Sequence, residues 1–562
     1  MDFLPFLTLI GSVALLIYGM KVMSEGLQKI VGSQLRKVLE NMSDNRFTGL
    51  LTGAFITTSI QSSTATSVMT VSFINAGLLT LSQAIAVIMG ANIGTTTTAW
   101  MMTLGVSGYY IAYVAFAVMI VGMVLIYSCE KSHKDIGEFV IGLTLMFLGV
   151  NILSSICLDY SETINDFLFA LSSYGYGSYF LFIIIGGLLT CILQNSAAII
   201  AITIALASKG LLDIDMGMAI VIGANIGTAV TSNITALSAG TQARRVALTH
   251  LLFNVFGAVW VLSLFDLCIE TVCTIADCIH TTNESCITKC IAIATFHTLF
   301  NICNTAILIG FIKPIESLTN ALIPDKKEES GDICRLQHIS GGILSTAELS
   351  LPVAKKEIQV FAERMRKMFG ITANLTEITD DRDFSRQYAR VEKYENISDN
   401  MELEISRYLT QVSDERLSAE AKMQVSDMMR QINEIESIGD SCLHLAKEIS
   451  SNRDKKIGFN EKQQEHIKAI FELCDEIIVN MLKILAGDRN TKVIRASYNL
   501  ENEINHYRTQ VKNQNMLDVN SGAYSYETAT QYLDIISESE KLCDYVINIV
   551  DICIHADDKK VL

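Results

Sequence analysis

The sequence predicts an all-α protein in two parts: a polytopic membrane domain of two inverted repeats with re-entrant helical hairpins, then a water-soluble pair of three-helix bundles. Three observations carry this. Charge is split along the 562 residues: positions 1–313 hold 28 Asp, Glu, Lys and Arg, and positions 314–562 hold 74. Apolar runs of about 20 residues, the length a spanning helix needs, recur through the first part. A block inside that part also occurs twice. Half of the residues are apolar, which argues against a disordered chain. The formal charge of −16 argues against general nucleic-acid binding.

The apolar runs fall near 3–23, 49–79, 82–104, 109–129, 137–157, 180–208, 215–237, 246–268 and 288–313. No basic segment precedes the first and no small-residue cleavage site follows it, so it reads as a retained spanning helix. The runs 49–79 and 180–208 are broken midway by polar clusters and read as hairpins that enter and leave on one side. Broken backbone at membrane depth is tolerated where it lines a cavity. If the hairpins turn back and the other runs cross, an outside N-terminus puts Lys29, Arg36, Lys37 and Arg46 inside, with Lys131 and Lys134 and with Arg244 and Arg245. The loop 158–177, with Asp159, Glu162 and Asp166 and no Lys or Arg, lies outside. This agrees with the positive-inside bias and predicts a cytoplasmic C-terminal part. Cys268, Cys273, Cys278 and Cys286 crowd into what reads as an outside loop, with Cys290 just after it; disulfides and free thiols are both open there.

Residues 61–98 align without gaps on 194–231, with 15 of 38 positions identical. The repeats extend over about 3–129 and 137–268, with an extra span at 288–313, a linker at 314–351 and the soluble domain at 352–562. Three crossings per unit give the copies opposite topology, the pattern of secondary transporters, whose sites lie where the breaks meet. Gln61, Ser62, Ser63 and Thr64 form the first polar island; Gln194, Asn195 and Ser196 form the second. Hydroxyls, amides and the free N–H groups of a broken helix suit an anion. Neither island contains Lys or Arg, so a bound phosphate would need a partner cation. Sodium fits oxygen ligands drawn from Asn92, Thr95, Asn225, Thr228 and nearby carbonyls. Those residues belong to a second echo, GANIGT at 90–95 and 223–228, whose glycines also suit close helix packing. Asn254 in HLLFN and Asn301 in FHTLFN form a third. No nucleophile–base motif and no Walker A loop occurs, so neither an enzyme nor an ATP-driven pump is encoded.

These paired motifs resemble the sodium–phosphate cotransporter family over about residues 1–313. The resemblance implies phosphate and sodium contacts at the islands and transport by alternating access. The second island, Gln194-Asn195-Ser196-Ala197, departs from the family's usual Gln-Ser-Ser-Ser by two hydroxyls. The expected function is sodium-coupled secondary transport of inorganic phosphate across a bacterial inner membrane. A phosphate exporter and a phosphate-sensing signalling protein are the alternatives. Inorganic phosphate and membrane lipid are the expected partners, with a phosphate-signalling protein or a second copy of the chain beside them.

The soluble part reads as six amphipathic helices near 353–375, 380–412, 415–451, 460–488, 489–512 and 523–557, joined by short connections. Glu436 and Asp440 are echoed by Glu540 and Asp544, and Glu395 and Asp399 by Glu501 and Asn505. Carboxylates four apart share a helix face. This part resembles the PhoU-like domain, a regulator of phosphate transport, over about 350–558. That resemblance implies a modulatory role and divalent or iron cations held by Glu395, Asp399, Glu436, Asp440, Glu501, Glu540 and Asp544. A solvated acidic face is the plainer reading of the same residues.

Overall fold

The computed structural model describes residues 3–40, 45–75, 78–106, 111–237, 240–279, 285–324, 347–414, 417–455, 457–488 and 490–558. Among these residues every regular element is helical. The chain divides into two compact units, one essentially residues 1–329 and the other essentially 350–562. Most of the expected linker, 325–346, lies outside the described residues.

The first unit runs α1 (Phe3–Glu40), α2 (Arg46–Ile60), α3 (Ser63–Asn75), α4 (Leu81–Val106), α5 (Ile111–Ile126), α6 (Lys131–Asp159), α7 (Ser161–Ser172), α8 (Tyr176–Leu193), α9 (Ser196–Ser208), α10 (Ile214–Ala236), α11 (Thr241–Ser263), α12 (Phe265–Ile279), α13 (Ser285–Leu308) and α14 (Ile312–Leu322). Among the described residues six helical stretches are long and apolar enough to cross a membrane: Leu7–Val31, Ser132–Asp159, Tyr176–Leu193, Ile214–Ala236, Thr241–Ser263 and Cys286–Leu322. Helix α4 has 26 residues, but Gln83, Asn92 and a run of threonines from 95 to 98 lower its apolarity.

Glycines set how closely these helices meet. Helices α1 and α6 pack over a long shared face, where a Cβ on Gly149 would lie 2.7 Å from the Leu16 backbone nitrogen. In GANIGT, a Cβ on Gly94 would lie 2.5 Å from the Ala54 carbonyl oxygen, and one on Gly227 2.6 Å from that of Gly187. Gly90 and Gly223 sit closer still, against the carbonyls of Leu50 and Ile183. The motif thus presses α4 onto α2 and α10 onto α8, backbone to backbone. The core behind them gathers Leu16, Met102, Met146, Ile200, Ile204 and Phe296.

Two expectations change here. The cysteine-rich segment is not all loop: Cys268, Cys273 and Cys278 lie on α12, and Cys286 and Cys290 on α13, all as free thiols. Helix α12 is amphipathic, so its polar residues, Asp266, Glu270 and Asp277, mask a helix when only unbroken apolar runs are sought. The expected linker also begins later, because α14 occupies its first residues and α15 starts at Ala347.

The second unit contains α15 (Ala347–Asn374), α16 (Asp381–Asp414), α17 (Ala419–Asp454), α18 (Glu461–Leu485), α19 (Thr491–Asn520) and α20 (Tyr526–Asp558). Helix α17 packs on α16 and α20, and α20 also packs on α18 and α19. Ser418 and Asn460 cap α17 and α18, the latter in a reciprocal capping box with Gln463.

Candidate functional site: two broken helices

Each polar island falls at a helix break, and the two breaks share one backbone shape. Gln61 ends α2 at φ 55°, ψ 26°, and Gln194 ends α8 at φ 51°, ψ 27°. Among the described residues these two are the non-glycine positions with positive φ. Glutamine in the left-handed region costs about 1–2 kcal/mol, so the surroundings impose the conformation. Two residues later a new helix starts. Ser62 Oγ accepts the Ala65 N–H at 3.2 Å, and Asn195 Oδ1 accepts the Ala198 N–H at 3.2 Å. The first N–H groups of α3 and α9 have no acceptor within their own helices, which makes each start a place for negative charge. Helix α9 packs on α4 and α3 touches α10, so each second arm meets the GANIGT helix of the other repeat.

The two tips differ in their side chains. Gln61 is half-buried and held at both ends of its amide: Nε2 donates to the Thr58 carbonyl at 2.6 Å, and Oε1 accepts from Thr98 Oγ1 at 2.8 Å. Across the same break Thr57 Oγ1 donates to Thr66 Oγ1 at 2.9 Å, and Ser24 Oγ donates to the Ile60 carbonyl. Ser63 is buried, and Ser62 and Thr64 are half-buried. In the second tip Gln194 is exposed, while Asn195 and Ser196 are half-buried. Thr231, at the position matching Thr98, donates instead to the Thr228 carbonyl at 2.8 Å.

The asparagines of GANIGT are buried and paired with residues that the sequence reading passed over. His250 Nε2 lies 3.0 Å from Asn92 Oδ1, and His297 Nε2 lies 3.3 Å from Asn225 Oδ1. Asn254 and Asn301 each donate Nδ2 to the backbone carbonyl of the histidine one turn earlier, at 3.0 and 2.9 Å. The signal was present in the sequence, since His and Asn recur four residues apart in both HLLFN and FHTLFN. Thr95 and Thr228 hydroxyls donate to their own helices, to Ala91 O and Ala224 O, each at 3.0 Å. Their oxygen lone pairs stay open as acceptors.

In the second unit the acidic residues gather as two groups. Burial, then the neighbouring Asp440, Asp399 and Glu402, push the Glu436 carboxyl up to about 7. Burial, then Asp399 and Asp440, raise Glu395 as well. In the other group burial and Asp544 raise Glu501, while Arg508, 3.5 Å from Glu540, opposes the burial that raises Glu540 and Asp544. The expected cation site on Glu395, Asp399, Glu436, Asp440, Glu501, Glu540 and Asp544 is not supported. Among the described residues no three metal-ligating side chains converge as a metal ion requires, and a guanidinium already serves the second group.

Apolar helices long enough to span a bilayer, with hydroxyls and amides gathered at paired helix breaks, define a polytopic membrane transporter. Its membrane unit matches the pattern of the Na+/Pi-cotransporter family over residues 15–155 and 170–271. The family is one of phosphate transport and not an enzyme class. The "Putative inorganic phosphate export protein YjbB" of Escherichia coli (strain K12) is 23% identical over 547 residues, 96% of this chain and 95% of that one. The "Uncharacterized protein YqeW" of Bacillus subtilis (strain 168) is 28% identical over 261 residues, 46% of this chain and 82% of that one. The "Sodium-dependent phosphate transport protein 2B" of Homo sapiens is 34% identical over 92 residues, 16% of this chain and 13% of that one. No solved structure matches the chain.

Proposed function

We propose that the protein carries inorganic phosphate across the bacterial inner membrane together with sodium, by alternating exposure of the two helix breaks. The observation that supports this most is the pairing of the breaks: the same left-handed glutamine, then a helix N-terminus, at corresponding positions of a repeated block. Gln61, Ser62, Ser63, Thr64, Gln194, Asn195 and Ser196 and the N–H groups beside them form the phosphate site in this reading. The difference between the tips, one tied to α4 through Thr98 and one exposed, suits a carrier whose halves take turns in opening.

Moving an anion inward against a negative interior costs about 2.3 kcal/mol per charge per 100 mV. The islands supply no cationic side chain, so a co-bound sodium offsets that charge and draws on its own gradient. Thr95 and Thr228 are its ligands through their free lone pairs; Asn92 and Asn225 are the other candidates. The N-terminus lies outside and the second unit lies in the cytoplasm, by the positive-inside argument. There the second unit acts as a PhoU-like modulator of transport.

Net export is a second reading. It is favoured by the relative named for phosphate export, which aligns across both units of this chain. The test is radiolabelled phosphate flux by the purified full chain in liposomes. Flux in sodium that falls to background in potassium supports coupling; equal flux in both refutes it.

A further inference from the structure

Among the described residues of the membrane unit, the buried and incompletely bonded polar side chains include six that recur as two matching sets of three. Asn92, His250 and Asn254 form one set, and Asn225, His297 and Asn301 the other, with relative exposures between 0 and 8%. Within each set the same three atoms lack a hydrogen-bond partner: the asparagine Nδ2 of GANIGT, the histidine Nδ1 and the Oδ1 of the asparagine one turn after the histidine. Buried polar groups are almost always paired. An orphan costs about 1–3 kcal/mol, and here the same orphans occur twice. Packing alone does not require them, because a leucine or alanine would fill such space without that cost.

The hydrogen bond in each set decides what the asparagine offers. An amide oxygen only accepts, so the ring nitrogen facing it, Nε2 of His250 or His297, carries the proton. The oxygens of Asn92 and Asn225 thereby each have a partner. What each amide leaves open is Nδ2, which only donates. A donor repels a cation and suits an oxyanion.

We propose that His250 and His297 are positioning residues of the transport site: they pin the amide oxygens of Asn92 and Asn225, so that these asparagines present N–H donors to the transported oxyanion rather than oxygen ligands to the coupling ion. The inference rests on the phosphate-transport reading and moves two residues from the sodium side of that account to the phosphate side. Sodium is then left to Thr95, Thr228 and backbone carbonyls. The histidines touch neither ion. They act by donating Nε2–H to the amide oxygen, which keeps Nδ2 turned outward.

The test uses the purified full chain in liposomes, with inorganic phosphate and sodium varied separately. His250→Phe and His297→Phe keep a ring and remove the donor; His250→Gln and His297→Gln keep an N–H. The phenylalanine variants should raise half-saturating phosphate about tenfold or more, the size of one lost hydrogen bond to a charged partner. Half-saturating sodium, read at saturating phosphate, should stay within about twofold, and the glutamine variants should recover most of the phosphate affinity. Asn92→Asp, which keeps oxygens and loses the N–H donors, should lose phosphate affinity in the same way and serves if a phenylalanine variant does not fold. A tighter sodium response in Asn92→Asp with unchanged phosphate affinity overturns the proposal. Phenylalanine variants that match wild type in both titrations overturn it too. Wild-type protein that moves no phosphate refutes the transport reading itself, and the proposal with it.

Discussion

Gln61 and Gln194 share a backbone conformation but not an environment, and substitution separates the two contributions. Gln61→Ala removes two side-chain hydrogen bonds, to the Thr58 carbonyl at 2.6 Å and from Thr98 Oγ1 at 2.8 Å. At about 1 kcal/mol each, the loss is about 2 kcal/mol. Gln61→Gly loses the same bonds but relieves the left-handed backbone. An L-residue spends about 1–2 kcal/mol there, and glycine returns about 0.5–1 kcal/mol of that in unfolded-chain entropy. The glycine variant should therefore be about 0.5–1 kcal/mol more stable than the alanine variant. At the exposed Gln194 the alanine variant should stay within about 0.5 kcal/mol of wild type, and the glycine variant should match or exceed wild type. Thermal unfolding of the detergent-purified chain reads these as shifts of a few degrees. Phosphate uptake should fall sharply in both alanine variants, although only Gln61→Ala is destabilised. Equal unfolding temperatures for Gln61→Ala and Gln61→Gly would refute the backbone argument. Equal losses at 61 and 194 would refute the asymmetry of the tips.

Gly90→Ala and Gly223→Ala should each destabilise the membrane unit by about 1–3 kcal/mol through overpacking, because the new Cβ meets the carbonyl of Leu50 or Ile183. Gly11→Ala, with open space around it, is the control and should be neutral or stabilising in the same unfolding assay. In the second unit the folded state raises the Glu436 carboxyl from 4.5 to about 7. The folded chain therefore holds this proton more tightly than the unfolded one, and its contribution to stability falls as pH rises from about 4.5 to about 7. Glu436→Gln should stabilise the unit at pH 8 by about 1 kcal/mol after solvent screening, with the gain fading by pH 5. An equal effect at both pH values would contradict the burial and repulsion assigned to this carboxyl.

Much of the architecture is legible because the bilayer is a demanding solvent. The split in charge separates an apolar, membrane-suited part from a charged one, and the repeated block points to paired helix breaks. The six C-terminal helices are legible for a similar reason, since their apolar positions recur at helical spacing. Helices α7, α12 and α14 are missed because short amphipathic helices interrupt their apolar face with charge, as Asp266, Glu270 and Asp277 do in α12. Side-chain destinations are the harder part. Gln61 reads as a ligand donor from its type and place, but the sequence does not show that its amide also bonds within the protein, to Thr58 and Thr98, with one N–H left over. Asn92 and Asn225 read as oxygen ligands, and the sequence does not show that His250 and His297 face those oxygens. Four-residue spacing brings Glu436 and Asp440 to one face, but it does not say whether a third ligand or an arginine stands opposite.

Reversing the sodium gradient across liposomes that contain the full chain tests the central claim most directly. With phosphate equal on both sides at the start and the membrane potential clamped, labelled phosphate should accumulate on the side to which sodium runs, and the direction should invert with the gradient. Accumulation that ignores the sign of the sodium gradient, or that proceeds equally in potassium, would contradict the account.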